Sequence, residues 1–230
     1  MPEGIQIDFF QLPDNPAADL FESGWIAPDE WDRAAAIRHE PTRAMFLFSR
    51  AKLRQCLCRL TDCPPENIHY EYDVYGKPQL PPTTGRPQVH FNISHSDQLL
   101  AIACSGNAPV GIDVQIHRKR QNYADLAQRF FSKKEIQFLS EAHDPSDYTA
   151  LFYQIWVHKE AFVKAVGKGL RIPLQAFTVQ PEAYSVYLPE INDWSEIPKM
   201  PYSIQRLEPP LDGYSAAIAW QGIDGKLKLG

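Results

Sequence analysis

Short segments in which apolar and polar residues alternate predict β-strands in three regions of the chain. The first is IQIDFFQL (5–12), close to the N-terminus. The next group, separated by turn residues, consists of HFNIS (90–94), LLAIACS (99–105) and VGIDVQI (110–116). The last group, beyond Pro173, consists of FTVQ (177–180), YSVYL (184–188), YSIQRL (202–207) and YSAAIAW (214–220). Short, closely spaced strands of this kind favour small antiparallel sheets.

Apolar residues at helical spacing predict helices between these strands. The predicted helices cover 27–37, 42–60, 123–131, 132–142 and 144 to Gly167 or Gly169. Ser132 and Glu135 form a capping-box pattern at the start of the fourth helix. Segment 68–80 begins with strand-like alternation and ends in a Gly-Lys-Pro turn. The order of strand, helices, strands and again helices, strands predicts an α+β fold with two halves of similar size.

Composition and charge exclude several classes of protein. The chain has 230 residues, of which 44% are hydrophobic, enough for one large domain or two small ones. A net charge of −5 argues against a dedicated nucleic-acid binder. No apolar run reaches the roughly 18 residues of a membrane span, and the N-terminal sequence lacks the regions of a signal peptide.

The four cysteines, Cys56, Cys58, Cys63 and Cys104, form neither a CxxC pair nor a secreted disulfide framework. We therefore expect a reduced, cytoplasmic protein. Zinc binding by Cys56, Cys58 and Cys63 is a weaker alternative.

The fifth predicted helix carries charged residues among apolar ones, in LFYQIWVHKEAFVKAVGKG (151–169). On a helical wheel of about 100° per residue, Glu160 and Lys164 border the apolar arc, whereas Lys159 lies inside it. Glu160 and Lys164 could simply form an exposed i,i+4 ion pair. Lys159 must extend to solvent, pair with an acid or face a bound anion. We expect this helix to lie between two surfaces, with its polar edge facing a cleft.

The strand VGIDVQI has Asp113 in its middle. Side chains alternate along a strand, so Asp113 and Gln115 share one face. A buried carboxylate is costly unless it is paired or bound to a metal, so Asp113 is either a hydrogen-bonded structural residue or a ligand. Together with Glu160 it predicts a two-carboxylate site, and Mg²⁺ commonly takes one or two carboxylates, water and substrate phosphates.

A basic segment upstream predicts a cradle for an anion. Residues 33–59 contain seven basic residues and one acidic residue, a local charge of +6 in an acidic chain. Arg43, Arg50 and Arg54 align beside the apolar face of the second predicted helix, and arginine suits phosphate. A solvated charge stripe is the alternative. Lys77 adds one cation on a turn that a proline stiffens.

The stretch FNISHSD (91–97) suggests a hydrolase at first sight. Ser94 and His95 are neighbours on a predicted strand, so they point to opposite faces and cannot form a nucleophile–base pair. The sequence also has no GxSxG elbow, P-loop or GxGxxG motif. Side chains such as His95, rather than a backbone loop, must therefore hold the phosphates.

Four motifs in this order resemble those of the surfactin-synthetase type of 4′-phosphopantetheinyl transferase. They are GKPQL (76–80), FNISHS (91–96), VGIDVQ (110–115) and WVHKEAFVKAVGKGL (156–170). The upstream arginine-rich helix and RFFSKKE (129–135) match the family as well, so the resemblance covers most of the chain. The C-terminal 60 residues or so match only in length and strand pattern.

The resemblance implies transfer of the phosphopantetheine arm of coenzyme A to a serine of an acyl or peptidyl carrier protein. Such carriers serve fatty-acid, polyketide or nonribosomal peptide synthesis. It also implies a monomer of two similar α+β halves related by a pseudo-two-fold axis, with coenzyme A and Mg²⁺, or alternatively Mn²⁺, between them. Residues 1–108 would form the coenzyme A cradle and a carrier-facing helix. Residues 109–230 would supply the metal strand and the catalytic helix.

The same resemblance implies roles for individual residues. Asp113 and Glu160 would bind the metal, with Gln115 as a third ligand, and Glu160 would also receive the proton of the carrier serine. Many relatives have an acid at the position of Gln115, which puts metal affinity in question. Lys164 and Lys159 would hold the phosphates. The other residues expected to bind coenzyme A are Arg38, Arg43, Arg50, Lys77, Ser94 and His95.

Two other functions stay open at this level, a non-catalytic binder of nucleotide-like anions and a Mg²⁺-dependent phosphohydrolase. The intact Glu160 and Lys164 argue against the first, and the missing nucleophile and P-loop argue against the second. The segment HRKR (117–120) is the best candidate for docking an acidic carrier protein, because the chain as a whole is acidic. A solvated turn is the alternative there.

Overall fold

The fold is that of a computed structural model, which describes most of the chain. The described residues are 4–13, 24–74, 76–82, 88–106, 108–119, 122–180, 190–191, 201–222 and 227–229. Its helices and small, mostly antiparallel sheets confirm the predicted α+β class.

All five predicted helices are present, with ends close to those expected. They are α1 (Pro28–Ala35), α2 (Glu40–Thr61), α3 (Tyr123–Phe130), α4 (Lys133–Leu139) and α5 (Pro145–Val166). The capping box at the start of α4 forms as predicted, since the Ser132 side chain accepts from the backbone N–H of Glu135. Asp144 caps α5 in the same way, and Gly167 ends this helix with a φ of 79°.

The strands form two main sheets and two short hairpin ladders. In chain order they are β1 (Ile5–Gln11), β2 (Glu71–Tyr72), β3 (Pro78–Gln79), β4 (His90–Ser96), β5 (Leu99–Ser105), β6 (Val110–Ile116), β7 (Phe177–Thr178), β8 (Glu190–Ile191), β9 (Tyr202–Leu207), β10 (Tyr214–Gln221) and β11 (Leu227–Leu229). One sheet has the order β11-β1-β5-β4 and the other β6-β10-β9. The short strands β3, β8 and β11 were not predicted, and segment 78–79 was expected to belong to a turn. The predicted strand YSVYL lies outside the described residues.

The two main sheets meet along β4 and β6 through side chains instead of a backbone ladder. The N–H of Ile112 donates to the Asn92 side chain at 2.9 Å, and the N–H of Ile116 donates to the Ser96 hydroxyl at 3.0 Å. Between them, the N–H of Val114 approaches the Ser94 hydroxyl at 3.4 Å. The alternating polar residues of FNISHS thus satisfy the free edge of the VGIDVQ strand.

Apolar residues of both sheets share one core at this junction. Ile5, Ile7 and Leu99 pack in the same cluster as Ile112 and Trp220. The last strand, β11, returns to pair in parallel with β1, so the end of the described chain joins the N-terminal sheet. The predicted division near residue 109 stays a prediction. None of the helices in the described residues is long and apolar enough to cross a membrane.

Candidate active site

Helix α5 lies directly against strand β6 because of one glycine. A Cβ atom added to Gly111 would lie 2.2 Å from the carbonyl oxygen of Ala161 and 2.3 Å from the backbone nitrogen of Ala165. Any side chain at this position would therefore push the helix away from the strand. The close approach brings Lys164 of α5 to Asp113 of β6.

Asp113 is buried, at 2% exposure, and both of its carboxylate oxygens are engaged. Its Oδ1 accepts from Lys164 Nζ at 2.7 Å and from Ser94 Oγ at 2.7 Å. Its Oδ2 accepts from the side-chain amide of Gln115 at 3.2 Å. Charge-assisted hydrogen bonds of this kind offset the cost of burying the carboxylate. The predicted neighbours Asp113, Gln115, Ser94 and Lys164 thus lie together.

Glu160 lies one turn before Lys164 on α5, and both side chains line one cleft. Burial raises the pKa of Glu160 above its usual value, and the nearby Asp113 carboxylate adds to the rise while Lys164 opposes it. A second carboxylate near Asp113 is costly unless a cation lies between the two. The two carboxylates supply the oxygen ligands that suit Mg²⁺, a hard cation that needs few protein ligands. Gln115 directs its amide N–H toward Asp113, so its oxygen is not part of this set in the structure.

The weaker zinc alternative gains no support from the described residues, which contain no group of three or more His, Cys, Asp or Glu side chains arranged to hold a metal ion. Burial raises the pKa of the Cys56 thiol to about 12, so this cysteine is an inert core residue.

Glu160 and Lys164 line a cleft of about 410 Å³, together with Arg50, Lys77 and Phe91. Arg50 is 8% exposed and lies over the rings of Phe46 and Tyr70. Its Nη1 has no hydrogen-bond acceptor among the described residues. Its Nε lies 3.8 Å from Glu30 Oε1, so the guanidinium has a distant acidic partner inside the protein. Its positive charge at the wall of the cleft suits an anionic ligand.

Lys77 lines the cleft, but its ammonium group is already engaged. Its Nζ donates to the carbonyl oxygen of Lys164 at 2.6 Å and to that of Val110 at 3.3 Å. Burial lowers the pKa of Lys77 to about 8. This lysine therefore joins the β2–β3 hairpin to the end of α5, a role that the sequence did not indicate.

The prediction that Lys159 faces the cleft and holds phosphates is wrong. Lys159 is fully buried on the other side of α5, where its ammonium pairs with Glu135 at 2.8 Å. The helical wheel had left three alternatives for this residue, and pairing with an acid is the one that the structure shows.

The predicted arginine stripe is also partly wrong. Arg54 is buried and donates to Glu30 at 2.6 Å and to backbone carbonyls, so it is a structural residue. Arg43 pairs with Glu40 near the surface, and Arg38 is exposed. Only Arg50 of the stripe lines the cleft.

Ser94 and His95 point to opposite faces of β4, as predicted, and so form no nucleophile–base pair. The Ser94 side chain is buried against Asp113, whereas His95 is exposed to solvent. Partial burial lowers the pKa of His95, and Lys164 lowers it further.

A second groove, of about 430 Å³, was not predicted. Its polar lining residues include His95, Gln115 and Arg118. Its aromatic lining residues are Tyr123, Phe152, Tyr153 and Trp156. The aromatic residues of α3 and α5 were visible in the sequence, but only the packing of these helices shows that they line one groove. Arg118 of the predicted HRKR patch lies at this groove and pairs with Asp97 at 3.7 Å.

The fold and site define an α+β protein in which a pair of carboxylates, a lysine and a buried arginine lie at or beside one cleft. Comparison with known proteins narrows this class. Residues 109–219 match the family model of the 4′-phosphopantetheinyl transferase superfamily, and residues 21–107 match the model of the 4′-phosphopantetheinyl transferase N-terminal region.

Individual relatives agree with the family models. The Synechocystis protein slr0495 is 34% identical over 85% of this chain and 79% of its own length. The 4′-phosphopantetheinyl transferase Sfp of Bacillus subtilis is 32% identical over 72% of either chain. The 4′-phosphopantetheinyl transferase gsp of Aneurinibacillus migulanus is 32% identical over 76% of this chain and 71% of its own. This chain belongs to the 4′-phosphopantetheinyl transferase superfamily, which confirms the resemblance found in its motifs.

Proposed function

We propose that this enzyme moves the 4′-phosphopantetheine arm of coenzyme A onto a serine of an apo acyl or peptidyl carrier protein and releases adenosine 3′,5′-bisphosphate. The observation that carries the proposal is the geometry around Asp113, which joins Lys164 at 2.7 Å and lies near Glu160 at a cleft containing Arg50. Phosphoryl transfer needs mainly positioning and charge neutralisation, and these groups supply both.

Asp113 and Glu160 would hold Mg²⁺, with Gln115 beside them. When bound, the ion neutralises the pyrophosphate of coenzyme A and the charge that develops on the leaving group. Burial and the nearby Asp113 carboxylate both raise the pKa of Glu160, and a cation bound between the two carboxylates would offset both effects. Mn²⁺ has the same preference for oxygen ligands.

Glu160 also accepts the proton of the carrier serine. The serine oxygen bonds to the phosphorus that carries pantetheine, while the bond from this phosphorus to the bridging oxygen breaks. The electron pair of that bond leaves with adenosine 3′,5′-bisphosphate, and the serine proton moves to the Glu160 carboxylate. General-base assistance of this kind typically contributes about 10²-fold or more to the rate.

The remaining groups bind coenzyme A. Lys164 is 27% exposed at the cleft and contributes its charge to the phosphates. Arg50 supplies a second positive charge at the wall of the cleft, and exposed His95 supplies a ring N–H from β4. His95 would gain a proton when it meets a phosphate, because an anion raises the pKa of a nearby imidazole.

The carrier protein docks on the second half, beside Arg118. This exposed arginine borders the groove that contains Gln115, so a bound carrier would lie next to the metal strand. The enzyme acts as a monomer in the cytoplasm. None of its four cysteines, all of which lie in the described residues, forms a disulfide bond, which suits a reducing compartment.

Incubation with coenzyme A, Mg²⁺ and an apo carrier protein, followed by mass spectrometry of the intact carrier, tests the proposal. The carrier should gain the mass of one phosphopantetheine arm, and the gain should vanish when its target serine is replaced by alanine. Breakdown of coenzyme A without a change in carrier mass would indicate a phosphohydrolase. Coenzyme A binding without any reaction would indicate a non-catalytic binder.

A further inference from the structure

Every proton of the Lys159 ammonium has an acceptor inside the protein. The nitrogen lies 2.8 Å from Glu135 Oε2, 2.7 Å from the carbonyl oxygen of Leu174 and 2.8 Å from that of Phe177. It also lies 4.3 Å from the centre of the Phe177 ring. An ammonium group has three protons, so none is left for a phosphate.

Glu135 extends this contact to two further segments. Its Oε2 accepts from the backbone N–H of Ser132 at 2.7 Å, and its Oε1 accepts from that of Val179 at 2.8 Å. The carboxylate is 1% exposed. One buried ion pair therefore joins α5 to the start of α4 and to the segment from Leu174 to Val179.

This ion pair is adjacent in sequence to Glu160, the proposed metal ligand and base. Lys159 is the residue immediately before Glu160. On the other side, α5 contacts β6 at Ala161 and Ala165, where Gly111 allows the close approach. The turn that carries Glu160 is thus held between β6 on one side and the Glu135 pair on the other.

We infer that Lys159 and Glu135 are positioning residues, which fix α5 so that Glu160 meets Asp113 at the cleft. The inference rests on the proposed function and assigns to Lys159 a role other than phosphate binding. Without the Lys159–Glu135 pair, α5 can rotate or shift against β6. The distance and orientation between the Glu160 and Asp113 carboxylates would then change. A displacement of about 1 Å at reacting groups can lower the rate about 100-fold.

Steady-state kinetics of Lys159→Met, Glu135→Gln and the double variant test this role. We expect kcat to fall about 10-fold to about 100-fold in each single variant, with KM for coenzyme A within about twofold of the original. The double variant should be no slower than the slower single variant, because both changes remove one interaction. Lys164→Met serves for comparison and should raise KM for coenzyme A.

A matched control separates positioning from general stability. Asp8 is a buried carboxylate of β1 that pairs with Arg59 at 3.4 Å, away from α5. Asp8→Asn should lower the melting temperature and leave kcat unchanged at temperatures where the protein is folded. If Lys159→Met fails to fold, Glu135→Gln decides, because it keeps the side-chain shape and an oxygen for Val179.

Two results would overturn the inference. A rise in KM for coenzyme A in Lys159→Met, like that in Lys164→Met, would make Lys159 a phosphate ligand. Unchanged kcat with only a lower melting temperature, as in Asp8→Asn, would make the pair a stabilising contact alone. Absence of transfer by the unmodified enzyme would instead refute the proposed function itself, so the two failures are distinguishable.

Discussion

Replacing Gly111 with alanine should separate helix α5 from strand β6 and inactivate the site. The added Cβ would lie 2.2 Å from the Ala161 oxygen, 2.3 Å from the Ala165 nitrogen and 2.8 Å from the Lys164 carbonyl carbon. All three atoms belong to the helix backbone, so no side chain can turn aside to make room. Ordinary contact requires the helix to withdraw by about 1 Å or more.

The expected loss of activity follows from the contact between Lys164 of α5 and Asp113 of β6. Lys164 Nζ now lies 2.7 Å from Asp113 Oδ1, and a withdrawal of about 1 Å would stretch this contact beyond a hydrogen bond. We expect kcat to fall about 100-fold. Overpacking should cost about 3 kcal/mol, which in a protein of this size lowers the melting temperature by roughly 6–12 °C.

The assay is transfer of phosphopantetheine to an apo carrier, measured well below the melting temperature of the variant. Gly222→Ala is the control, because Gly222 has a φ of 111° and open space around an added Cβ. This variant should lose stability through backbone strain and keep its kcat. If Gly111→Ala retains more than about half of the original kcat, the close helix–strand approach does not position the site.

Further variants test the other assigned roles. Glu160→Gln should keep the fold and lower kcat about 10²-fold or more. A variant that keeps more than about a tenth of the original rate would contradict the role of Glu160 as base. Gln115→Glu should lower the half-saturating Mg²⁺ concentration, because hard cations prefer charged oxygen, and an unchanged or higher value would place Gln115 outside the metal shell. The pKa of Glu160 is raised, so protons compete with Mg²⁺ for this carboxylate at a higher pH than for an ordinary one. The half-saturating Mg²⁺ concentration should therefore rise as the pH falls through that pKa and stay level above it. A half-saturating concentration that does not depend on pH would exclude Glu160 as a ligand. Reversing Arg118 and Arg120 to Glu should raise KM for the carrier protein, most at low salt, and leave KM for coenzyme A nearly constant. Equal changes in the two KM values would assign the patch to coenzyme A. No change in either KM would mean that the carrier docks elsewhere.

Periodicity was sufficient to predict the helices, the longer strands of the described residues and the side of α5 that carries Glu160 and Lys164. The alternation in VGIDVQI placed Asp113 and Gln115 on one face, and the helical wheel placed Glu160 and Lys164 at the cleft edge. Both patterns are local, since they depend only on the repeat of a strand or helix. The short strands β3, β8 and β11 escaped prediction because two or three residues are too few to show a period.

The partners of buried charges could not be predicted in this way. Lys159 pairs with Glu135 and Arg54 pairs with Glu30, each across more than twenty residues of sequence. Such choices depend on how helices pack, which no single-element pattern contains. The capping box had marked Glu135 as a helix-start residue, but it gave no sign that the same carboxylate would also accept from a lysine of α5.

The side-chain junction between β4 and β6 bears on whether either half can exist alone. If the chain were cut near Pro109, the N–H groups of Ile112, Val114 and Ile116 would lose their acceptors and form an unpaired strand edge. The other fragment would expose Ile5, Ile7 and Leu99, which now pack against that strand. We therefore expect separately expressed halves to aggregate and the intact chain to unfold in a single cooperative transition. Residues 1–108 and 109–230 would then behave as one folding unit and not as two independent domains.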